Sequence, residues 1–252
     1  MKLAVIIPVY NAENTIRKAV KSIDTTHDVE IICINDGSTD RTKQVLTELQ
    51  KEVKHLIVYH QDNQGAAKSR NMGLSAMSDD IDAFMFLDAD DQFLPGKMDQ
   101  MIQYYEKNNH LDIVIGQIGR GLNGDWKVIP THEDIHREAI VSLAEAPEIL
   151  QSIGPGGKLF KAKFNTLRFD EDVVFCEEHT FVTRAYLMAR DIQLVPFIVY
   201  GYNEREGSIT DQRADTFISY LEDARKVRCE VMDMLLLVNE KAYYSYRMDD
   251  LI

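Results

Sequence analysis

The sequence predicts an α/β fold: a mostly parallel sheet flanked by helices, with a later excursion and a C-terminal amphipathic helix. Three observations predict it. Apolar runs rich in β-branched residues recur through the first half. Segments of helical period separate them, and that alternation implies parallel strands with helices on both faces. Polar clusters, PVYN, INDGS and DADD, follow three of the runs directly. In such sheets ligands sit beyond the carboxyl ends of the strands.

Residues 3–9 form an almost continuous apolar run, as expected of a strand buried on both faces. Residues 13–23 then place Ile16, Ala19, Val20 and Ile23 at helical spacing. Residues 30–34 read as a second strand. Ser38 or Asp40 is suited to cap the next helix, whose apolar side carries Val45, Leu46 and Leu49. Further strands are expected at 56–59, 83–87 and 111–115, with a helix over 65–77 and another before the fifth strand. From Gly116 the pattern changes: GQIGRGLNGDWKVIP reads as a hairpin or loop excursion. Helices are expected over 142–151 and 177–190, and a strand over 192–199. The long helix over 215–239 carries a stripe of Phe217, Leu221, Ala224, Val227, Val231 and Leu235. That stripe packs on its own domain, forms a subunit interface, or belongs to a further domain. The division expected is a domain over 1–210, with halves of about 1–115 and 116–210, and a C-terminal helical segment over 211–252.

Composition narrows the function. The 252 residues carry 28 basic and 41 acidic side chains, a net charge of −13. Polyanion-binding proteins show the opposite balance, so nucleic acid is not an expected partner. Cys33, Cys176 and Cys229 form no CxxC pair, which suggests neither a disulfide framework nor a zinc site and fits a reduced cytoplasm. No segment approaches the roughly 18 consecutive apolar residues of a membrane span. Membrane contact is therefore expected to be peripheral, at the inner face of the cell membrane.

The chemistry is concentrated in three motifs. In FLDADDQF, Asp88, Asp90 and Asp91 follow an apolar strand. Their density exceeds what a helix cap or turn needs, and they suit a hard divalent cation such as Mg²⁺ or Mn²⁺, with substrate phosphates and water completing its shell. INDGSTDRT is ordinary strand-to-helix punctuation by itself. At the same sheet edge as PVYN, however, Asp36 is suited to accept from the N3–H of uracil, and Pro8 and Tyr10 offer an apolar surface to a base. In NQGAAKSRNMG, Gly65 permits close backbone approach, the helix start offers free N–H groups, and Lys68 and Arg70 add positive charge. A diphosphate would be well received there.

Taken together, VIIPVYNAENTI, INDGSTDRT, NQGAAKSRN and FLDADD resemble, in order and spacing, the family 2 glycosyltransferases, whose nucleotide-sugar domain has the GT-A (Rossmann-like) fold. The resemblance covers roughly residues 1–210. It implies nucleotide-sugar binding by Pro8, Tyr10, Asp36, Asn63 and Arg70. It makes Asp88 and Asp90 the DXD pair, with Asp90 touching the metal, Mn²⁺ or Mg²⁺, and it implies inversion at the sugar carbon. In the second half, GPGGKLFKAKF resembles the segment lining the acceptor side, with Lys158 at the matching position. CEEHTF resembles the helix whose second acid is the catalytic base, which points to Glu178 with Glu177 beside it. YNEREGSIT resembles the loop that closes over the donor diphosphate, with Arg205 and Ser208 as contacts.

The resemblance implies a hexosyl- or N-acetylhexosaminyltransferase that uses a UDP-sugar donor and a glycan or polyol-phosphate acceptor. Within the family the second-half motifs look most like enzymes of wall teichoic acid or surface polysaccharide. The C-terminal helix is a candidate for homo-oligomerisation. Two rival readings are a nucleotidyltransferase on a related fold, which PVYNAENT fits poorly for want of a Gly-rich basic loop, and a non-catalytic sugar-nucleotide-binding module, which would not need Glu177 and Glu178.

Overall fold

The structure, a computed structural model, describes residues 1–122, 124–203 and 213–237, with the side chains of 122 and 213–217 left aside. The strands are β1 (Lys2–Val9), β2 (Asp28–Asp36), β3 (Leu56–Gln61), β4 (Ala83–Phe86), β5 (Gln92–Phe93), β6 (Ile113–Leu122), β7 (Asp125–Val128), β8 (Ala139–Val141), β9 (Lys158–Lys161) and β10 (Ile192–Asn203). The helices are α1 (Ile16–Lys21), α2 (Thr42–Glu52), α3 (Ala66–Ala76), α4 (Lys97–Lys107), α5 (Glu177–Met188) and α6 (Arg213–Leu236). Among the described residues all ten strands join one sheet, in the order β3-β2-β1-β4-β9-β6-β10-β5, with β7 added to β6 and β8 to β10.

The first four strands in that order are parallel, as the alternation of strands and helices predicts. The sheet then changes character, because β9 lies antiparallel between β4 and β6. Both expected halves of the chain are thus hydrogen-bonded into one surface. Successive residues of the central strands face opposite layers. Ile6, Ile34, Phe86 and Phe160 pack with α3, α5 and α6, whereas Val5, Ile7, Met85 and Leu159 pack with α1, α2 and α4. Helix α3 presses directly on β1. A Cβ on Gly73 would lie 2.3 Å from Ile6 Cγ2, so only glycine permits this approach.

Two expectations are corrected. Residues 142–151 do not form an α-helix. Glu145 accepts from both the Ser142 N–H and its hydroxyl, closing a turn. Pro147 then keeps Ala146 out of the helical region, leaving a 3₁₀ turn over Pro147–Gln151. The bounds of the fifth strand also change: β6 runs on through Leu122 and, with β7, makes the hairpin expected from Gly116.

The stripe of α6 is split. Val227, Val231 and Leu235 are buried in the α5-side core, but Leu221 is 52% exposed and Ile218 more so. The helix packs on its own domain through the buried part of this stripe and through Tyr220, stacked on Phe175, and Asp223, which accepts from the Val174 and Phe175 N–H groups. Phe217 of the expected stripe lies outside the described side chains.

Candidate active site

The loops after β1, β2 and β3 lock onto one another. Asn11 takes a left-handed conformation at φ 46°. Its N–H donates to Ser38 Oγ at 3.0 Å, and its Oδ1 accepts the Thr39 N–H at 2.8 Å. Gly37, at φ 67°, lies so close to the third loop that a Cβ would sit 2.6 Å from the Asn63 nitrogen. Asp36 closes the arrangement. Its carboxylate accepts from Gln61 Nε2 at 2.7 Å and from the N–H groups of Gln64 and Gly65, each at 2.8 Å. The result is a ledge at the carboxyl edge of the sheet. Asn63 lies exposed on it, Pro8 is partly buried, and Tyr10 stands 51% exposed.

The DADD turn follows β4 on the same edge. Asp88 and Asp90 are partly exposed, but Asp91 is only 2% exposed. Its Oδ2 accepts from the Tyr200 hydroxyl and its Oδ1 from the Asn203 N–H at 2.9 Å. Asn203 Nδ2 also donates to the Asp90 carbonyl oxygen at 2.7 Å. The third acid, expected beside its neighbours as a metal ligand, is instead turned inward as a strut between the turn and β10.

Arg70, on α3, joins the turn to α5. Its two terminal nitrogens donate to Asp88 Oδ1 and Glu177 Oε1, each at 2.9 Å. Its guanidinium lies 5.4 Å from the Phe169 ring centroid, and that ring stacks on Phe181 of α5. These carboxylates hold the buried guanidinium firmly charged against the cost of burial. Its partners among the described residues are thus carboxylates on both the donor-side turn and α5.

Glu177 is buried and neutralised by Arg70, whereas Glu178 is half-buried. Burial, reinforced by the adjacent charge of Glu177, pushes the Glu178 carboxyl up to about 8 against the pull of Arg70. Cys176, which precedes the pair, holds a left-handed φ of 64°. The two acids at the start of α5 therefore differ: one is an ion-pair anchor and the other a basic carboxylate.

Lys158 departs from expectation. It does not line an open acceptor surface, being 0% exposed in β9. Its Nζ donates to Ser152 Oγ at 2.6 Å and to the Gly154 carbonyl oxygen. Ser152 Oγ also meets His132 Nε2 at 2.8 Å, and His132 Nδ1 accepts the Ile118 N–H. That tautomer puts the imidazole proton on Nε2. Burial pulls Lys158 down to about 7 and His132 to about 3. Tyr186 of α5 donates to the Ser152 carbonyl oxygen at 3.1 Å, tying this network to the helix of Glu178.

His132, Ser152, Tyr200 and Asn203 were not singled out from the sequence. Arg205 and Ser208 lie outside the described residues.

The donor set suits a hard dication that takes few protein ligands, since Asp88 and Asp90 present partly exposed carboxylates at one strand end. Among the described residues no group of three or more His, Cys, Asp or Glu side chains forms a metal cage. Phosphate or water oxygens would complete such a shell.

This arrangement coincides with a known family. The family described as Glycosyl transferase family 2 matches residues 4–174. The chain is a family 2 glycosyltransferase. TagX of Staphylococcus aureus (strain MSSA476), provisionally named a glycosyltransferase, is 36% identical over 256 residues, covering 100% of this chain and 72% of TagX. The poly(ribitol-phosphate) beta-glucosyltransferase of Bacillus spizizenii is 28% identical over 238 residues, covering 88% of this chain and 36% of that enzyme. The crystal structure of S. aureus TarS 1-349 in complex with UDP-GlcNAc superposes with a TM-score of 0.78 at 22% identity, covering 100% of this chain and 71% of that one. That likeness bears out the GT-A architecture. Family membership makes the chain an enzyme, and neither rival reading stands.

Proposed function

We propose that this glycosyltransferase moves a sugar from a UDP-sugar to a hydroxyl of a polyol-phosphate or related surface glycan, with inversion and with a divalent metal. The observation that carries the reading is the pairing made by Arg70. It ties Asp88, at the donor-side turn, to Glu177, which stands beside the basic carboxylate Glu178. A nucleotide ledge, an acidic turn and a proton acceptor thus share one rigid frame.

Tyr10 and Pro8 supply an apolar face for the base. Asp36 has one of its roughly four acceptor positions left after three internal bonds. A uracil N3–H would fill it, and cytosine, lacking that hydrogen, would not. Asp88 and Asp90 would hold Mn²⁺ or Mg²⁺, which when bound neutralises charge on the diphosphate. The acceptor oxygen forms its bond to the anomeric carbon as the bond to the diphosphate oxygen breaks. Its proton passes to Glu178, and UDP departs with the electron pair. One displacement gives one inversion. Arg70 holds Glu177 in place, and the Glu177 carboxylate beside it helps to make Glu178 a strong acceptor.

The acceptor class is supported by the poly(ribitol-phosphate) enzyme among the relatives. No described helix is long and apolar enough to cross a membrane. Together with Cys33 and Cys229, which form no disulfide, this supports work in the cytoplasm at the inner face of the cell membrane. The test is calorimetry of UDP with Mn²⁺ on the wild type and on Asp90→Asn. UDP affinity should need the metal and fall sharply in the variant. Equal affinity would remove the metal-ligand assignment.

A further inference from the structure

Asn71 follows Arg70 on α3 and is buried, 6% exposed. Its amide clasps the segment before α5, 98 residues away. Oδ1 accepts the Phe169 N–H at 2.8 Å, while Nδ2 donates to the Phe169 carbonyl oxygen at 3.0 Å and to Glu171 Oε1 at 2.8 Å. A donor and an acceptor side by side satisfy both backbone groups of one residue, which a carboxylate of the same shape cannot do. Phe169 is itself buried, so losing the clasp would strip buried backbone groups of their hydrogen bonds.

The clasp decides where the Phe169 ring lies. The ring stacks on Phe181 of α5, with centroids 4.1 Å apart, and meets Phe86 of β4 edge-on at 5.2 Å. The Arg70 guanidinium lies 5.4 Å from its centroid. Arg70 needs that support. Its two terminal nitrogens are committed to Asp88 and Glu177, and its Nε has no hydrogen-bond partner among the described residues. A guanidinium over an aromatic face is attracted to it, more strongly where water is excluded. One residue earlier the segment is tied to both helices again: Arg168 donates to Ser75 Oγ of α3, and its carbonyl oxygen accepts from Arg184 of α5. Residues 168–171 therefore strap the helix of Arg70 to the helix of Glu177 and Glu178.

We propose that Asn71 is a positioning residue for the transfer: by seating Phe169 it keeps Arg70 on Glu177 and sets where Glu178 stands. The inference rests on the reading of Glu178 as the proton acceptor. Among the described residues, the charges within reach of Glu178 are Glu177 on its own helix, Arg70 from α3 and Lys158 from β9. Glu177 pushes the Glu178 carboxyl up and Arg70 pulls it down. Loosening Arg70 weakens the pull and leaves Glu177 uncompensated, so both changes act upward.

The test compares the wild type with Asn71→Ala and Phe169→Leu, with Glu178→Gln beside them. Carboxyl ¹³C NMR follows the titration of Glu178, assigned by its loss in Glu178→Gln, and needs no substrate. In both variants the midpoint should rise above the wild-type value. Transfer from UDP-GlcNAc to poly(ribitol phosphate) should fall about 10- to 100-fold in kcat, the cost of slight misplacement of a reacting group. UDP affinity by calorimetry should stay near wild type, because the bonds of Asp36 are untouched. A lower melting temperature with an unmoved midpoint would make the clasp merely structural and overturn the proposal. If Asn71→Ala does not fold, Phe169→Leu decides by the same midpoint. If Glu178→Gln keeps normal turnover, the base reading falls and the positioning role with it; if Glu178→Gln is inactive and the midpoint stays fixed, only the role of Asn71 falls.

Discussion

The Tyr200 hydroxyl donates to Asp91 Oδ2 at 2.7 Å while accepting the Asp88 N–H at 3.1 Å. One phenol on β10 thus holds both ends of the acidic turn. Tyr200→Phe keeps the ring and removes that link. Apparent Mn²⁺ affinity, read by calorimetry in the presence of UDP, should fall by about 10- to 100-fold, the usual cost of losing an outer-shell partner. Acceptor KM should not move. Stability should also drop by about 1–3 kcal/mol, because a buried carboxylate oxygen loses its donor. Unchanged Mn²⁺ affinity would mean the turn holds its shape without the hydroxyl.

Glu178→Gln should lower transfer by roughly two to four orders of magnitude, the span of general-base catalysis, with donor affinity near wild type. Burial favours the protonated form of Glu178, which cannot accept the acceptor's proton. Activity should therefore climb as pH rises through about 8. A rate profile already flat from pH 6 upward would show that another group takes the proton. Normal turnover of Glu178→Gln alongside an inactive Glu177→Gln would exchange the two roles.

Lys158 is a buried amine whose folded pKa of about 7 lies below its ordinary value of 10.5. Between those values the unfolded chain binds more protons than the folded one, so stability from this group grows as pH rises. Moving from pH 7 to pH 9 should add at most about 2–3 kcal/mol. Lys158→Met should flatten that gain in denaturant titrations at the two pH values. Parallel curves for both proteins would show that the amine is protonated in the fold.

Helix α6 should respond unequally along its length. Val231→Asp buries a charge in the α5-side core and should cost several kcal/mol, on the order of 3–5. Leu221→Asp, at an exposed position, should change melting by little. A large loss of oligomeric mass with Leu221→Asp in light scattering would reveal a second copy covering that face.

The parallel half was legible in the sequence because each strand there announces itself by β-branched runs and each helix by its period. The ledge was legible too, since PVYN, INDGS and DADD follow their strands directly. Other features depend on distant partners. Asp91 looks like its neighbours until Tyr200, 109 residues away, claims its carboxylate. Lys158 gives no local sign of its burial because nothing nearby marks KLFK as a central strand, and its network with Ser152 and His132 forms only when β9 is in place. The helix expected at 142–151 is absent for a local reason, because Pro147 keeps the residue before it out of the helical region.

The insertion of β9 between β4 and β6 bears on how the molecule can be made and cut. A fragment ending near residue 115 would contain the four first-half motifs yet leave β4 with a bare backbone edge and cut β6 short, the kind of template on which chains aggregate. During synthesis the sheet cannot be stitched across its middle until residue 161 has left the ribosome, a long-range closure of the kind that slows folding. A split or circularly permuted version of this enzyme should therefore be opened in a surface loop that leaves β4, β9 and β6 together, never at the boundary the motifs suggest.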